Sequence, residues 1–337
     1  MQAHLKSANA LAAGPAIVTR ESSAQSATQA CWRFLNNDRV GLPALVQPLR
    51  EHARKEAGRS ASKFVLVAHD WSKLDFGTHA SKTDVLALTH QHDVGYDLTT
   101  SLLVDAASGA PLAPVQMHLK TATAMHSTAT AAPGMEDHHL EQLLPTMNEI
   151  ASWDLPRTPV HIVDREADSL GHFRQWGPAG HLFLIRADDR RVLWEGTPVL
   201  ISEIVAKLAR QGRFQPTREV SYRNRPAFQQ VAESTITLHK PHKTRRGGKQ
   251  YEMSGAPIEL RLIVSRVTDE KGAVLAEWTL VTNVPANQVS AAEIALWYYW
   301  RWRIESFFKL LKSHGMEVEQ WQQQSGVAIA RRLLVAA

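Results

Sequence analysis

FVLVAHD, residues 64–70, is the stretch from which the fold is read. Five apolar side chains in succession, several of them β-branched or aromatic, make a run too short for a helix and suited to a buried strand. The run closes on an acid, Asp70. Downstream, VGYDLTTSLLVD (94–105) alternates, residues 107–110 read as a turn, and PVQMHLKT (114–121) reads as a third strand, so the three form an antiparallel meander. Residues 136–150 have helical spacing. PVHIVDREAD (159–168) reads as a strand followed by a helix start, with Asp164 ending the strand, and HLFLIRA (181–187) reads as a fifth strand with Arg186 near its end.

Strand-strand-strand-helix-strand-helix-strand is the order of a ribonuclease H-like fold, an α/β class with a mixed sheet. Its next helix is delayed by about 100 residues, because STITLHK (234–240), IELRLIVSRV (258–267) and EWTLVTN (277–283) intervene as strand-like segments. They predict a β-rich subdomain inserted in the fold, after which residues 291–313 supply the missing helix as one continuous element. The expected division is a helical N-terminal segment over 1–60, a catalytic core over 61–187 and 290–322, the insertion over 188–289, and a C-terminal helical region opening at 323–337. Helical stretches are expected around 29–37 and 42–55.

Composition narrows the class. With 337 residues, 44% hydrophobic and 21% charged, the chain can bury a large core and has the balance of a soluble protein. No apolar run approaches the roughly 20 residues that span a bilayer, and no basic start leads into an apolar stretch. A cytoplasmic protein without membrane association is expected. Cys31 is the only cysteine, which excludes an internal disulfide and a zinc site built on paired cysteines. A net charge of +5 and a sequence pI near 9.3 favour polyanionic partners. HKPHKTRRGGK (239–249) sets five Lys/Arg residues beside Gly247 and Gly248, which predicts a flexible basic hairpin tip. Such a tip is either a solubilising loop or a salt-sensitive contact with a nucleic-acid backbone.

WYYWRWRIESFFKLLKS (297–313) carries the chemistry. At about 100° per residue, with Tyr298 at zero, Arg301 falls near −60°, Glu305 near −20° and Lys312 near −40°. Trp300, Ile304, Phe307 and Leu311 gather on the other side, between roughly 180° and 240°. One carboxylate among two cations and a phenol suits a metal held beside a phosphate; it is also the pattern of a solvated helix face, with Glu305 pairing with Arg301 or Lys309. Asp70 and Asp164 would project from the carboxyl ends of buried strands, where open α/β sheets build their sites. Three converging carboxylates repel one another unless a hard cation such as Mg²⁺ or Mn²⁺ joins them. Taken singly, Asp70 equally suits a loop cap and Asp164 a helix N-cap, while Arg165 and Asp168 read as ties between DREAD and its neighbours.

The chain resembles DDE transposases of bacterial insertion sequences, in the insertion-sequence-four family. Tyr298, Arg301, Glu305 and Lys312 match that family's Tyr-two-Arg-three-Glu-six-Lys signature without a gap, DREAD at 164–168 resembles its middle block, and Asp70-Trp-Ser-Lys-Leu its first. The similarity runs from about residue 30 to 322 and includes QACWRFLNN (29–37). The resemblance implies that Asp70, Asp164 and Glu305 are a catalytic triad holding two divalent ions, and that Tyr298, Arg301 and Lys312 grip phosphates. It also implies that Trp278 stacks on a base flipped from the duplex, Trp278 as plain core being the alternative, and that Arg186 contacts the DNA backbone. The implied partners are double-stranded DNA, both transposon terminal repeats and target, and a second copy of the chain when DNA is bound. The implied reaction is end cleavage and strand transfer through a DNA hairpin. Family members are longer at both ends, so a shortened copy that binds DNA without transposing is the alternative expectation.

Overall fold

The computed structural model describes residues 24–336 apart from 91, 136–137, 247–248 and 314–315, with backbone only for 24–28 and 242–251. The chain divides into two compact units, one of Met1–Arg157 with Trp302–Ala337, the other of Thr158–Arg301.

In the first unit, helices α1 (Ala24–Leu35) and α2 (Leu42–Arg59) precede strand β1 (Phe64–Asp75). Then come β2 (Leu86–Ala87), β3 (Val94–Asp105), β4 (Pro111–Lys120), β5 (Met125–Ser127) and α3 (Leu143–Ala151). β3 lies between β1 and β4, antiparallel to both, which is the predicted meander. Val65 and Val67 of β1, with Leu103 and Val115, pack on Ala53 and Ala57 of α2 and Ile150 of α3. Arg50 of α2 is buried with them, its guanidinium donating to the Val115 and Thr128 carbonyls and pairing with Glu149 at 3.2 Å. The helix expected over 136–150 begins only at Leu143, and residues 136–137 lie outside the described residues.

β1 is longer than its apolar run. It continues past Asp70 to Asp75, because Trp71, Ser72, Lys73 and Leu74 keep pairing with the first half of β3. Gly95 makes that possible: a Cβ there would sit 1.9 Å from the Leu74 carbonyl oxygen, so only glycine lets the strands close. Asp70 is therefore a mid-strand residue, not the strand end that the sequence predicts.

The second unit holds β6 (Thr158–Val163), a 3₁₀ turn (Arg165–Ala167), α4 (Leu170–Trp176) and β7 (Leu182–Arg186). β8 (Arg191–Trp194), β9 (Thr197–Leu200), α5 (Ile201–Arg210), β10 (Gln215–Tyr222) and β11 (Arg225–Leu238) follow. β12 (His242–Arg246) and β13 (Lys249–Met253) form a separate antiparallel hairpin where the basic segment lies; its tip at Gly247 and Gly248 is outside the described residues. β14 (Ile258–Thr268), β15 (Val274–Thr282) and α6 (Ala291–Trp300) complete the unit. β6 and β7 are parallel, whereas β15 joins β7, β14 joins β15 and β11 joins β14 antiparallel, so this sheet is mixed. The element order and the mixed α/β sheet are those of a ribonuclease H-like fold.

The helix predicted over 291–313 is two helices, α6 and α7 (Trp302–Lys312). Arg301 keeps helical dihedrals at φ −50° and ψ −35°, but its N–H bonds to Tyr298 three residues back, at 3.1 Å, which tightens the turn. After a 3₁₀ turn (Val318–Gln320), α8 (Gly326–Ala336) packs on α1, α2 and β4, with Arg331 donating to the Leu35 and Val40 carbonyls. Residues 1–23 of the expected N-terminal helical segment lie outside the described residues. Among the described residues no helix is long and apolar enough to cross a membrane.

Candidate functional site

Within the second unit, β6 is buried through Val160, Ile162 and Val163 and releases the chain at Asp164. Asp164 caps the 3₁₀ turn: its Oδ1 accepts the Glu166 N–H at 2.9 Å, which fixes the carboxylate plane. The cap and the strand-end acid expected from the sequence are one residue. Because β6 and β7 are parallel, with Val163 opposite Ile185, Arg186 leaves β7 beside Asp164. α6 delivers the third contribution. Ser290 and Glu293 form a capping box that sets its start, and its last turn presents Tyr298 and Arg301.

Asp164, Arg186, Tyr298 and Arg301 line one open cleft of about 470 Å³, joined by Arg165, Glu166 and Asp188. Three acids thus face three arginines. Tyr298 and Arg301 are only 6% and 7% exposed, so this half of the signature is not a solvated helix face. Burial raises the Tyr298 phenol above its ordinary value against the pull of Arg301 and Arg186, so the group stays a neutral donor. Around the cleft, Arg165 pairs with Asp188 at 3.2 Å. Asp168, its side chain 2% exposed, pairs with Arg190 and accepts the Asp188 N–H at 2.6 Å. Burial raises the Asp168 carboxyl and Arg190 pulls it back. Both residues tie the DREAD loop to the segment after β7, as the sequence predicts. Asp188 was not singled out in the sequence; its signal is the RADDR run directly after β7.

Trp278 stands in the middle of β15, opposite Ser265 of β14, and does not open the strand as expected; β15 already begins at Val274, after the Gly272 turn. It is half-buried and lines a mostly apolar cavity of about 310 Å³ with Val220, Tyr222, Leu280 and Tyr299. Trp278 is therefore not plain core. Tyr298 lines this cavity as well as the cleft.

Within the first unit, Asp70 is half-exposed where β1 passes from its buried half to its open half, and its Oδ1 accepts the Trp71 N–H at 2.9 Å. It shares the β1 face of Leu66 and Ala68, opposite the Val65–Val67 face that meets α2 and α3. α7 packs along β1. Arg303, near its start, donates to the Gly109 carbonyl (2.9 Å), in the turn that follows the β3 end paired with Val65. Lys312, at its end, donates to the Lys73 carbonyl and pairs with Glu319 at 3.4 Å. α7 therefore runs in the direction of β1. Glu305 precedes Lys312 by seven residues, about 10 Å of helix, and Asp70 precedes Lys73 by three, about 10 Å of strand. Glu305 comes level with Asp70 along β1. Ile304, Phe308 and Leu311 are the buried face of α7, while Glu305 and Phe307 are half-buried at its margin.

The chain matches the family model of the transposase DDE domain over residues 113–337. It belongs to that family. The matched span includes Asp164 and the whole Tyr-Arg-Glu-Lys block and leaves Asp70 outside. No curated protein matches the chain. Among solved structures, the piggyBac transposase in a synaptic complex with hairpin DNA is similar at a TM-score of 0.30 and 7% identity, over 92% of this chain and 54% of that one. This DDE-domain chain thus spans about half the length of that protein, and a likeness so distant carries no functional weight.

The donor set of the three candidate acids is all carboxylate oxygen, the chemistry that hard divalent ions select, and Asp70 and Asp164 each have one oxygen anchored by a backbone amide. Among the described residues no three His, Cys, Asp or Glu side chains are already gathered at metal-holding distances.

Proposed function

We propose that the chain is a DNA transposase that cuts at the ends of a mobile element and joins them to target DNA by cut-and-paste transposition. The observation that carries this reading is the cleft of the second unit, where the DREAD acid, the β7 arginine and the first half of the Tyr-Arg-Glu-Lys signature meet from three separate stretches of sequence. An open, arginine-rich cleft with a neutral phenol suits phosphodiester oxygens: Arg186 and Arg301 supply charge-assisted hydrogen bonds and Tyr298 donates an O–H. Trp278, beside its apolar cavity, is the stacking surface for an unpaired base.

In this reading Asp70, Asp164 and Glu305 hold divalent ions, Mg²⁺ or Mn²⁺ in a pair. Bound there, such ions supply activation of an attacking oxygen and stabilisation of the leaving one in phosphodiester exchange. Lys312 contacts a phosphate near the cut. Water would first hydrolyse one strand at the element's end and free a 3′-hydroxyl, which attacks the opposite strand to form a DNA hairpin and releases the flanking DNA; a second water reopens the hairpin, and the restored 3′-hydroxyl attacks target DNA. Double-stranded DNA and a second copy of the chain on the bound ends are the partners.

The test is strand cleavage of a duplex carrying the inverted repeats that flank the chain's own gene, with Mg²⁺ or Mn²⁺ and with chelator. Metal-dependent nicks leaving 3′-hydroxyls at the repeat boundary support the proposal. Binding without cleavage under every metal condition would leave a DNA-binding protein and sink the enzymatic reading.

A further inference from the structure

The first unit contains a second polar concavity that the transposase reading does not use. Three strands build it in register. His69 of β1 lies opposite Ser101 of β3, which lies opposite Gln116 of β4; the next row is Trp71, Thr99, His118, and the third is Lys73, Asp97, Lys120. Alternation puts all three rows on one sheet face. That is the face whose apolar end meets α2 and α3, so the same surface changes from core to polar along β1. The last two rows open into a cavity of about 350 Å³, enough for one nucleotide.

The lining divides by chemistry. Leu86, Leu88 and Met125 make an apolar wall. Lys73 holds that wall in place, its ammonium donating to the Leu88 carbonyl (3.3 Å) and the Thr89 hydroxyl (3.0 Å). Lys120 supplies positive charge, His138 adds an imidazole that can hydrogen-bond an anion, and Asp97 lies beside them. The floor is Thr99 and His118. His118 is 3% exposed, and its Nε2 has no hydrogen-bond partner among the described residues. Its Nδ1 lies 2.8 Å from the Ser127 hydroxyl, which already accepts the Ala129 N–H (2.9 Å). Burial lowers the ring to about 4 and keeps the imidazole neutral. Nε2 is itself covered by protein atoms, so the polar groups offered to a ligand are Thr99, Asp97, Lys120 and His138.

We infer that this cavity binds a single phosphate-bearing nucleotide unit, with Lys120 and His138 on the phosphate and the apolar wall against the base. Asp97 is the feature that separates this from a bare anion site. A carboxylate among the cations repels a lone phosphate, but it accepts a hydrogen bond from a ligand that also offers N–H or O–H groups, as a nucleotide does. One ligand chemistry has two sources, a free nucleotide or an unpaired nucleotide of a DNA strand.

Calorimetric titration of the full chain with deoxynucleoside 5′-monophosphates, the matching nucleosides and inorganic phosphate tests the inference without any cognate DNA. A failed cleavage reaction and a failed nucleotide site are therefore told apart. The nucleotides should bind at least tenfold tighter than either nucleosides or phosphate. Lys120→Ala should bring them down to the nucleoside level, and Asp97→Asn should weaken them at least fivefold. Lys120 is half-exposed and Asp97→Asn is isosteric, so both variants should keep the wild-type melting temperature. Competition by a single-stranded oligonucleotide assigns the site to DNA, and nucleotide binding without competition assigns it to free nucleotide. No nucleotide binding at millimolar concentration, or binding indifferent to both substitutions, overturns the inference.

Discussion

The cleft of the second unit and the cavity of the first both gather acids and bases, yet their charges are maintained differently. In the cleft the cations are arginines, charged at every pH a protein meets, and of its acids Glu166 and Asp188 are exposed and Asp164 is half-buried. Beneath the cavity the bases are buried histidines: burial lowers His69 to about 3, with His118 adding to the effect, and lowers His118 itself to about 4. The first arrangement sets permanent charge along an open cleft, with Arg301 buried in its wall, which suits a polyelectrolyte. The second sets a lysine and a carboxylate over a floor of neutral buried histidines, which suits a small ligand recognised by shape and by a few paired groups.

The sharpest way to break the contrast is to remove charge from the proposed chemistry. Asp164→Asn or Glu305→Gln should lower strand cleavage at least about a thousandfold, the several kcal/mol that bound divalent ions supply. DNA retention in a gel-shift assay should be unchanged or tighter. Wild-type cleavage by either variant would reduce that residue to a surface carboxylate.

Next in size is the brace behind the cleft. Asp168→Ala leaves Arg190 without its buried partner, so thermal or urea unfolding should show a loss of about 3 kcal/mol. A negligible change would mean that the DREAD loop does not depend on the tie.

The histidines give the cavity a pH signature that the arginines cannot give the cleft. Their folded pKa values are depressed, so between about pH 4 and 6.5 the unfolded chain binds more protons than the folded one. Stability is complete above about 6.5 and falls on acidification, on the order of 1 kcal/mol per pH unit for each histidine. His118→Gln should flatten that slope in urea titrations across the window; an unaltered slope would remove the histidine from the account.

The smallest effect separates the two regions by salt. Arg301→Ala should weaken end binding and reduce the log–log salt slope by about one, while nucleotide binding in the first unit, made through Lys120, should fall with salt far less steeply than end binding does. Equal salt sensitivity at both places would erase the distinction.

Legibility followed hydrophobic burial. FVLVAHD, PVHIVD and HLFLIRA are strands because their side chains are buried, and their sequence says so. The second half of β1 is a strand because Gly95 lets β3 approach its backbone, and WSKLD alone does not reveal that. The same holds for β15, whose first residues pair with β14 across a solvated edge and so moved Trp278 inward from the predicted strand start. The joint at Arg301 was invisible because its dihedrals stay helical, and neither glycine nor proline marks it. Among candidate site residues, Asp164 and Arg186 were readable from strand ends, and Tyr298 and Arg301 from spacing. Their burial was not, since a wheel shows which residues share a side without showing what covers them. The polar rows of β1, β3 and β4 went unread for a related reason: in DLTTS and QMHLK the alternation looks like a solvent face, and only the tertiary structure covers it.

Lys312 gives one further consequence. At rest its ammonium is paired with Glu319, so it already has a counterion, and that counterion is covalently tethered to the chain. When a phosphate takes the carboxylate's place, no small ion returns to bulk solution from this lysine. The cation condensed on that phosphate is still released, so Lys312 should add to the hold on DNA by ion release offset by the cost of leaving Glu319 without its partner.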